Sequence, residues 1–192
     1  MNDFKLYFGW GWEHIISLDA LDHQLFILVL AALYTIKEWK PVLILVTAFT
    51  IGHSITLALS TLNMVTIPSA WVEFLIPCTI AFTAASNFFV RDLSPKKFRP
   101  NYILALLFGL VHGLGFANTL RFTLASDQNL LWPLLSFNLG LEAGQVLVVF
   151  FILLVAYAVV YLLKLNRKWW VWGVSAVVLL VAIKMAAERW PA

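Results

Sequence analysis

Three runs of the chain, Leu25–Ile36, Val146–Leu163 and Trp169–Ile183, contain no charged residue. Their apolar residues are not confined to one helical face, and the runs approach the roughly 20 residues that a helix needs to cross a bilayer. Of the 192 residues, 62% are hydrophobic and 12% charged, against about 25% charged in an ordinary soluble domain. A water-soluble globular fold is excluded. The predicted fold is all-α, a polytopic transmembrane helical bundle in which one membrane domain fills residues 1–192 and the lipid bilayer is the surroundings. Trp10, Trp12, Trp39, Trp71, Trp132, Trp169, Trp170 and Trp190 stand near the proposed segment ends, where amphipathic rings prefer the interface.

Six spans fit the pattern: about 19–36, 41–62, 68–90, 101–122, 131–163 and 169–187. The fifth is too long for one perpendicular crossing and is expected to tilt or project. Residues 1–18 form a short aromatic segment, with Phe4, Tyr7, Phe8, Trp10 and Trp12, that reads as an interfacial helix lying on the membrane. The N-terminal MNDFKLYFGWGWEH has no basic stretch followed by a cleavable apolar one, so it does not read as a signal peptide.

Lys and Arg mark the cytoplasmic side of a membrane protein. Lys37, Lys40, Arg91, Lys96, Lys97, Arg99, Lys164, Arg167 and Lys168 lie in the first, third and fifth connections and make nine of the thirteen basic residues. The expectation is a multi-pass protein of the cell (inner) membrane with both termini outside the cytoplasm. The net charge of +3 then belongs to these loops, and no nucleic-acid partner is expected. A lone Cys78 excludes an internal disulfide and a cysteine-rich metal site.

Ionisable groups inside a span cost several kcal/mol, so each needs a partner, a cavity or a task. The candidates are Asp22 and His23 in the first span, His53 in the second, Glu73 in the third, His112 in the fourth and Glu142 in the fifth. At a rise of about 1.5 Å per residue, His53 and His112 lie about 17–18 Å from the cytoplasmic helix ends, and Glu142 at nearly the same level. Asp22, His23 and Glu73 fall about 5–7 Å below the outer surface. One cavity in the outer half of the bilayer would accommodate all six. Thr47, Thr50 and His53 recur at helical spacing, as do Asn138, Glu142 and Gln145, giving two polar stripes that point inward while Leu, Val and Phe face lipid. Asp19, four residues before His23, is placed to order its ring, and Gly109, Gly113 and Gly115 allow close approach of helices.

Three histidines with two or three carboxylates and no cysteine suit a divalent transition metal such as Ni, Co or Zn. Plainer roles compete. Thr47, Thr50, Thr56 and Ser86 read as back-bonded to their own helices or packed between helices. Asn138 and Gln145 read equally as interhelical glue or cavity lining, Glu73 as a helix cap or a mouth residue, and His14 as solvated, stacked on Trp or a ligand.

The strings DHQLF at 22–26, TAFTIGHSITLAL at 47–59, FGLVHGLGFA at 108–117 and FNLGLEAGQ at 137–145 resemble the recurring motifs of the HupE/UreJ membrane proteins, over about three-quarters of the chain and in the same order. That resemblance implies a nickel permease associated with hydrogenase or urease. It marks His14, Asp22, His23, His53, His112 and Glu142 as candidate ligands or permeation residues. The spacing between His14 and the Asp22–His23 pair is longer than in hydrogenase-linked members.

The leading expectation is therefore a nickel/cobalt-type permease. His14, Asp19, Asp22 and His23 capture the ion at the outer mouth and pass it to His53, His112 and Glu142. Because metal displaces protons from imidazole, uptake is expected to depend on pH. The alternative is an intramembrane zinc-dependent hydrolase acting on a lipid or amide, with Asp22 or Glu142 as general base and Ser54 as the available hydroxyl. A homo-oligomer or an accessory subunit is compatible with either.

Overall fold

A computed structural model describes residues 3–17, 20–93, 99–124 and 131–191, with side chains described outside 99–100 and 116–124. Its described elements are all helical: α1 (Asp3–Ile16), α2 (Leu21–Ala31), α3 (Trp39–Thr61), α4 (Ser69–Asn87), α5 (Arg99–Leu124), α6 (Leu131–Tyr157) and α7 (Arg167–Glu188). A 3₁₀ turn, Ile36–Glu38, precedes α3, and a π turn, Ala158–Leu162, extends α6. Four helical segments are long and apolar enough to cross a membrane: Ile36–Thr61, Ser69–Asn87, Leu131–Leu162 and Arg167–Glu188. The α1–α2 pair meets the same test jointly, with a bend of 67° between its halves. Asn101–Gly115 of α5 is a shorter apolar helix.

Local chemistry sets the boundaries. Pro41 and Pro100 sit in the first turns of α3 and α5, where the missing N–H has no helical partner to lose. Asn166 Oδ1 accepts the backbone N–H of Lys168 and caps α7. Asn63 and Lys164 adopt positive φ of 58° and 56° and end α3 and the π turn. Before α3, Glu38 Oε2 accepts both the backbone N–H and the hydroxyl of Thr35, at 2.8 and 3.2 Å. It also pairs with Arg167 Nη2 at 2.6 Å. Arg167 Nη2 donates to the carbonyl of Leu33 as well, so one guanidinium ties the start of α7 to the α2–α3 connection.

The first proposed span differs from its expectation. Its helix covers Leu21–Ala31, eleven residues and so about 16 Å, too short for the hydrocarbon core of a bilayer. Seven of those residues are buried, because α2 is packed by α4, α6 and α7, and a helix apolar on all sides is stable where it is enclosed on all sides. The N-terminal segment also differs: α1 is a helix, but it runs along α6 rather than lying apart. A Cβ on Gly11 would meet the carbonyl of Phe137, and one on Gly140 would meet that of Phe8. Gly11 lies beside Phe137 and Ile15 beside Gly144, so α1 and α6 run in the same direction. Gly52, Gly109 and Gly113 bring α3 and α5 together in the same way, against the backbone of Leu106, Phe49 and His53. These two glycine-lined pairs set the positions of the histidines.

In a third helix pair, α4 packs on α7. Asn87 Nδ2 donates to Val29 O at 2.9 Å and to Ser175 Oγ at 3.0 Å, a buried polar knot joining α2, α4 and α7. The main core holds Phe26, Leu45, Phe49, Ile80, Val149 and Val178. Large apolar side chains such as Phe82, Phe89, Phe150 and Leu180 point outward, as expected of a bundle surrounded by lipid. Of the tryptophans, Trp39, Trp71, Trp132, Trp169 and Trp190 are exposed at or beside helix ends.

Candidate functional site

Four helices each deliver one histidine to the same place. His14 lies near the end of α1, His23 in the first turn of α2, His53 in the middle of α3 and His112 on α5. The His14 and His23 rings are 4.8 Å apart between centroids, His23 and His112 5.0 Å, His23 and His53 5.9 Å, and His14 and His53 6.4 Å. His23 is the hub of the four. His53 and His112 are 0% and 1% exposed, so neither ring is hydrated in the usual sense.

The hydrogen bonds to these rings are informative. His112 Nδ1 lies 2.8 Å from Phe108 O; a carbonyl only accepts, so Nδ1 carries the proton and Nε2 presents a lone pair. His23 Nδ1 lies 3.0 Å from Asp22 Oδ1, which also accepts the backbone N–H of His23 at 2.8 Å. In both residues the remaining Nε2 is buried without a hydrogen-bond partner, and both ring nitrogens of His53 are in the same state. A buried polar atom left unpaired costs about 1–3 kcal/mol, so three rings with orphan nitrogens at one point are expensive unless a ligand uses them. A proton given to a carbonyl or carboxylate, with the other nitrogen left open, is also how metal-ligating histidines are usually held. Asp22 orders the His23 ring; the expectation for Asp19 lies outside the described residues.

A cleft of about 230 Å³ opens onto this cluster, lined by His14, Asp22, His23, Glu73, Ile76, His112, Gly115 and Arg189. Glu73 is exposed and takes the mouth position rather than a cap of α4. Pro77, one turn beyond it, has no N–H to give to the Glu73 carbonyl. The helix start at Leu21 also points its positive dipole end toward this region, favourable for the Asp22 carboxylate in its first turn. At the break between α1 and α2, Gln24 Nε2 donates to the carbonyls of Ile15, Ile16 and Ser17, at 3.0, 3.3 and 3.0 Å. A broken helix leaves such carbonyls unpaired; the two N–H groups of Gln24 are shared among them, and Ser17 O also accepts the Ala20 N–H.

Other sequence-predicted residues lie elsewhere. Glu142 accepts from Thr47 Oγ1 at 2.7 Å, and Gln145 Oε1 accepts from Thr50 Oγ1 at 2.8 Å. Both are α3–α6 contacts, and neither carboxamide nor carboxylate lines the cleft. Asn138 donates back to Leu134 O. Ser54 donates to Thr50 O at 2.7 Å, along its own helix. Thr56 and Ser86 back-bond in the same manner. Among the described residues, no group of three or more His, Cys, Asp or Glu side chains is arranged to hold a metal ion as it stands.

Sequence reasoning missed two kinds of residue. Against the general expectation that phenylalanine faces lipid, Phe26, Phe49 and Phe137 are each at most 2% exposed and pack on the histidines. Phe49 lies 5.2 Å from His112 and 5.8 Å from His23, Phe26 5.5 Å from His112 and Phe137 5.9 Å from His14. The signal was present: Phe49 stands four residues before His53, on the same helical face. Arg189, in contrast, carried no spacing signal, since it comes from the far end of the chain.

The model of the HupE / UreJ protein family matches residues 1–190. This chain belongs to the HupE/UreJ family. The match takes in both the glycine-lined helix pairs and all four histidines, together with Arg189. No curated protein matches the chain, and no solved structure does.

Proposed function

We propose that this HupE/UreJ protein is a membrane permease for a divalent transition metal of the nickel/cobalt type, with the four-histidine cluster as its ion site. The supporting observation is the meeting of His14, His23, His53 and His112 from four helices beside one open cleft. Imidazole is a good ligand for nickel, cobalt and zinc, and Asp22 supplies the charge that lets a divalent ion leave water. The rings now meet edge to face, so loading requires them to turn about their side-chain bonds until nitrogens stand about 2.0–2.1 Å from the ion. His23 and His112 contribute Nε2, each steadied through its other nitrogen.

In this reading the chain crosses the inner membrane six times with both termini outside the cytoplasm. α1 and α2 together make the first crossing, and the break between them falls beside the ion site. Discontinuous helices serve this purpose in other transporters, where the exposed helix ends add dipoles and carbonyls to a binding site. Below His53, the Thr50–Gln145 and Thr47–Glu142 pairs on α3 and α6 are the next polar groups toward the cytoplasm. Glu142 thus belongs to the exit side of the route. A hydrolytic role draws less support, because Ser54 donates to its own helix and Glu142 accepts from Thr47, neither lining the cleft, which leaves Asp22 alone of its expected groups beside the rings.

Uptake of Ni²⁺ into proteoliposomes tests the proposal directly. The double variant His53→Ala, His112→Ala is expected to abolish the wild-type flux while retaining its helical content. Equal uptake by wild type and variant would sink the proposal.

A further inference from the structure

Arg189 stands at the mouth of a cleft whose donors suit a cation. It follows the last residue of α7, lines the same cleft as Glu73, His23 and His112, and its Nη1 lies 3.6 Å from Asp22 Oδ2. The two oxygens of Asp22 have different tasks. Oδ1 is committed to the backbone and ring of His23, whereas Oδ2 faces the guanidinium. A separation of 3.6 Å is an ion-pair contact rather than a hydrogen bond, so the pairing lacks the bidentate grip that arginine can give. Arg189 is also 34% exposed at its side chain, with water available to receive it. Its neighbour Trp190 packs edge-on against Phe74 of α4 at 5.0 Å, which fixes the backbone beside the cleft and leaves the side chain to move.

We propose that Arg189 is a tethered competitor for the metal: its guanidinium holds Asp22 Oδ2 until a divalent ion takes that oxygen and sends the side chain into water. The inference rests on the metal-site reading above. A guanidinium is always charged and cannot use the lone pairs of imidazole. A divalent ion brings twice the charge and uses the histidine nitrogens as well, so it displaces the arginine where a monovalent ion does not. Arg189 is thus a specificity-determining residue. By stabilising the empty site through its contact with Asp22, it also keeps binding weak enough for release, which conduction requires.

Calorimetric titration of Ni²⁺ into the purified full chain in detergent tests this, using wild type, Arg189→Gln, Arg189→Lys, Asp22→Asn and the double variant of Asp22→Asn with Arg189→Gln. Arg189→Gln is expected to bind nickel up to about fivefold more tightly than wild type, the upper end for a partly exposed ion pair. Arg189→Lys keeps the charge and stays near wild type. In the Asp22→Asn background the glutamine substitution gives little further gain, because the oxygen in dispute is gone. A second readout needs no variant: modification of Arg189 by phenylglyoxal, followed by peptide mass, accelerates when Ni²⁺ is added to wild type. Unchanged or weaker nickel binding by Arg189→Gln, an undiminished gain in the Asp22→Asn background, or an unchanged modification rate overturns the competitor role while leaving the metal site standing. No nickel binding by wild type and Arg189→Gln alike overturns the metal reading, and the competitor with it.

Discussion

Replacing Gly109 by alanine tests whether backbone contact between α3 and α5 holds the histidines in place. A Cβ at this position would meet the carbonyl oxygen of Phe49 and would stand 2.9 Å from its carbon and 3.0 Å from the His53 nitrogen, where ordinary contact begins at 3.4 Å. These atoms are backbone and cannot rotate away, so α5 must retreat from α3, by about 1 Å in an interior packed to crystal density. Overpacking of this kind costs about 1–3 kcal/mol. Helix propensity pulls the other way, since alanine in place of a helical glycine gains up to about 1 kcal/mol. The net expectation is a loss of about 1–2 kcal/mol, equivalent to about 3–6 °C in the melting temperature of a chain this long. Gly173→Ala on α7 is the control, because nothing lies within 4 Å of a Cβ there; propensity acts alone and the protein melts at the same temperature or slightly higher. Melting followed by tryptophan fluorescence in detergent measures both. Because Gly109 lies three residues before His112, and Phe49 four before His53, the same displacement separates the two rings and weakens Ni²⁺ binding. If Gly109→Ala melts with Gly173→Ala and binds metal like wild type, the contact does not set the site.

Three further perturbations report on the supports of the site. Asn87→Leu removes the donor shared by Val29 O and Ser175 Oγ and is expected to cost about 1–2 kcal/mol in the same melting assay, with Ser175→Ala costing less. Arg167→Met leaves Glu38 and the Leu33 carbonyl without their guanidinium; a loss of about 2–3 kcal/mol is expected, part of it recovered in the double variant with Glu38→Gln. Gln24→Leu removes the side-chain donor shared by three carbonyls at the end of α1, and hydrogen exchange of the α1 amides should accelerate while that of α4 and α7 stays unchanged.

Apolar runs located the long helices to within a few residues because a bilayer admits few alternatives for a charge-free stretch. The proposed spans 41–62 and 68–90 became Trp39–Thr61 and Ser69–Asn87, and 169–187 became Arg167–Glu188. The start of the chain was harder to read. Length alone does not reveal that the first apolar stretch is divided into α1 and α2, and the aromatic content of α1 fits an interface as well as it fits packing on α6. The decisive feature there is the spacing of small residues: Gly11 meets Phe137, Gly140 meets Phe8 and Gly144 meets Ile15 only once the two helices are laid side by side. The histidines were legible as a group, since four such residues in so apolar a chain need a reason. Which carboxylate joins them was not, because depth along a helix says nothing about rotation around the bundle. Glu142 was expected at the level of His53, yet its partner is Thr47, six residues earlier on α3.

The polar groups inside the bundle divide by whether the protein itself satisfies them. Thr47, Thr50, Ser54, Thr56, Ser86 and Asn87 all spend their donors on carbonyls, a carboxylate or a carboxamide of the same chain. Removing any one of them therefore acts on packing first. His23, His53 and His112 are different: each retains at least one buried ring nitrogen with no such partner. Selection for stability alone would replace these rings by apolar side chains of similar size, as phenylalanine already occupies the neighbouring positions at Phe26, Phe49 and Phe137. Phenylalanine offers the same ring stacking without the orphan nitrogen. That imidazoles stand among these phenylalanines, with two of them oriented by a fixed acceptor on the other nitrogen, is physically economical if the open nitrogens meet a cation. Substituting His53 by phenylalanine should accordingly leave melting unchanged or raise it while abolishing Ni²⁺ binding; a variant that melts lower and still binds would place His53 among the packing residues instead.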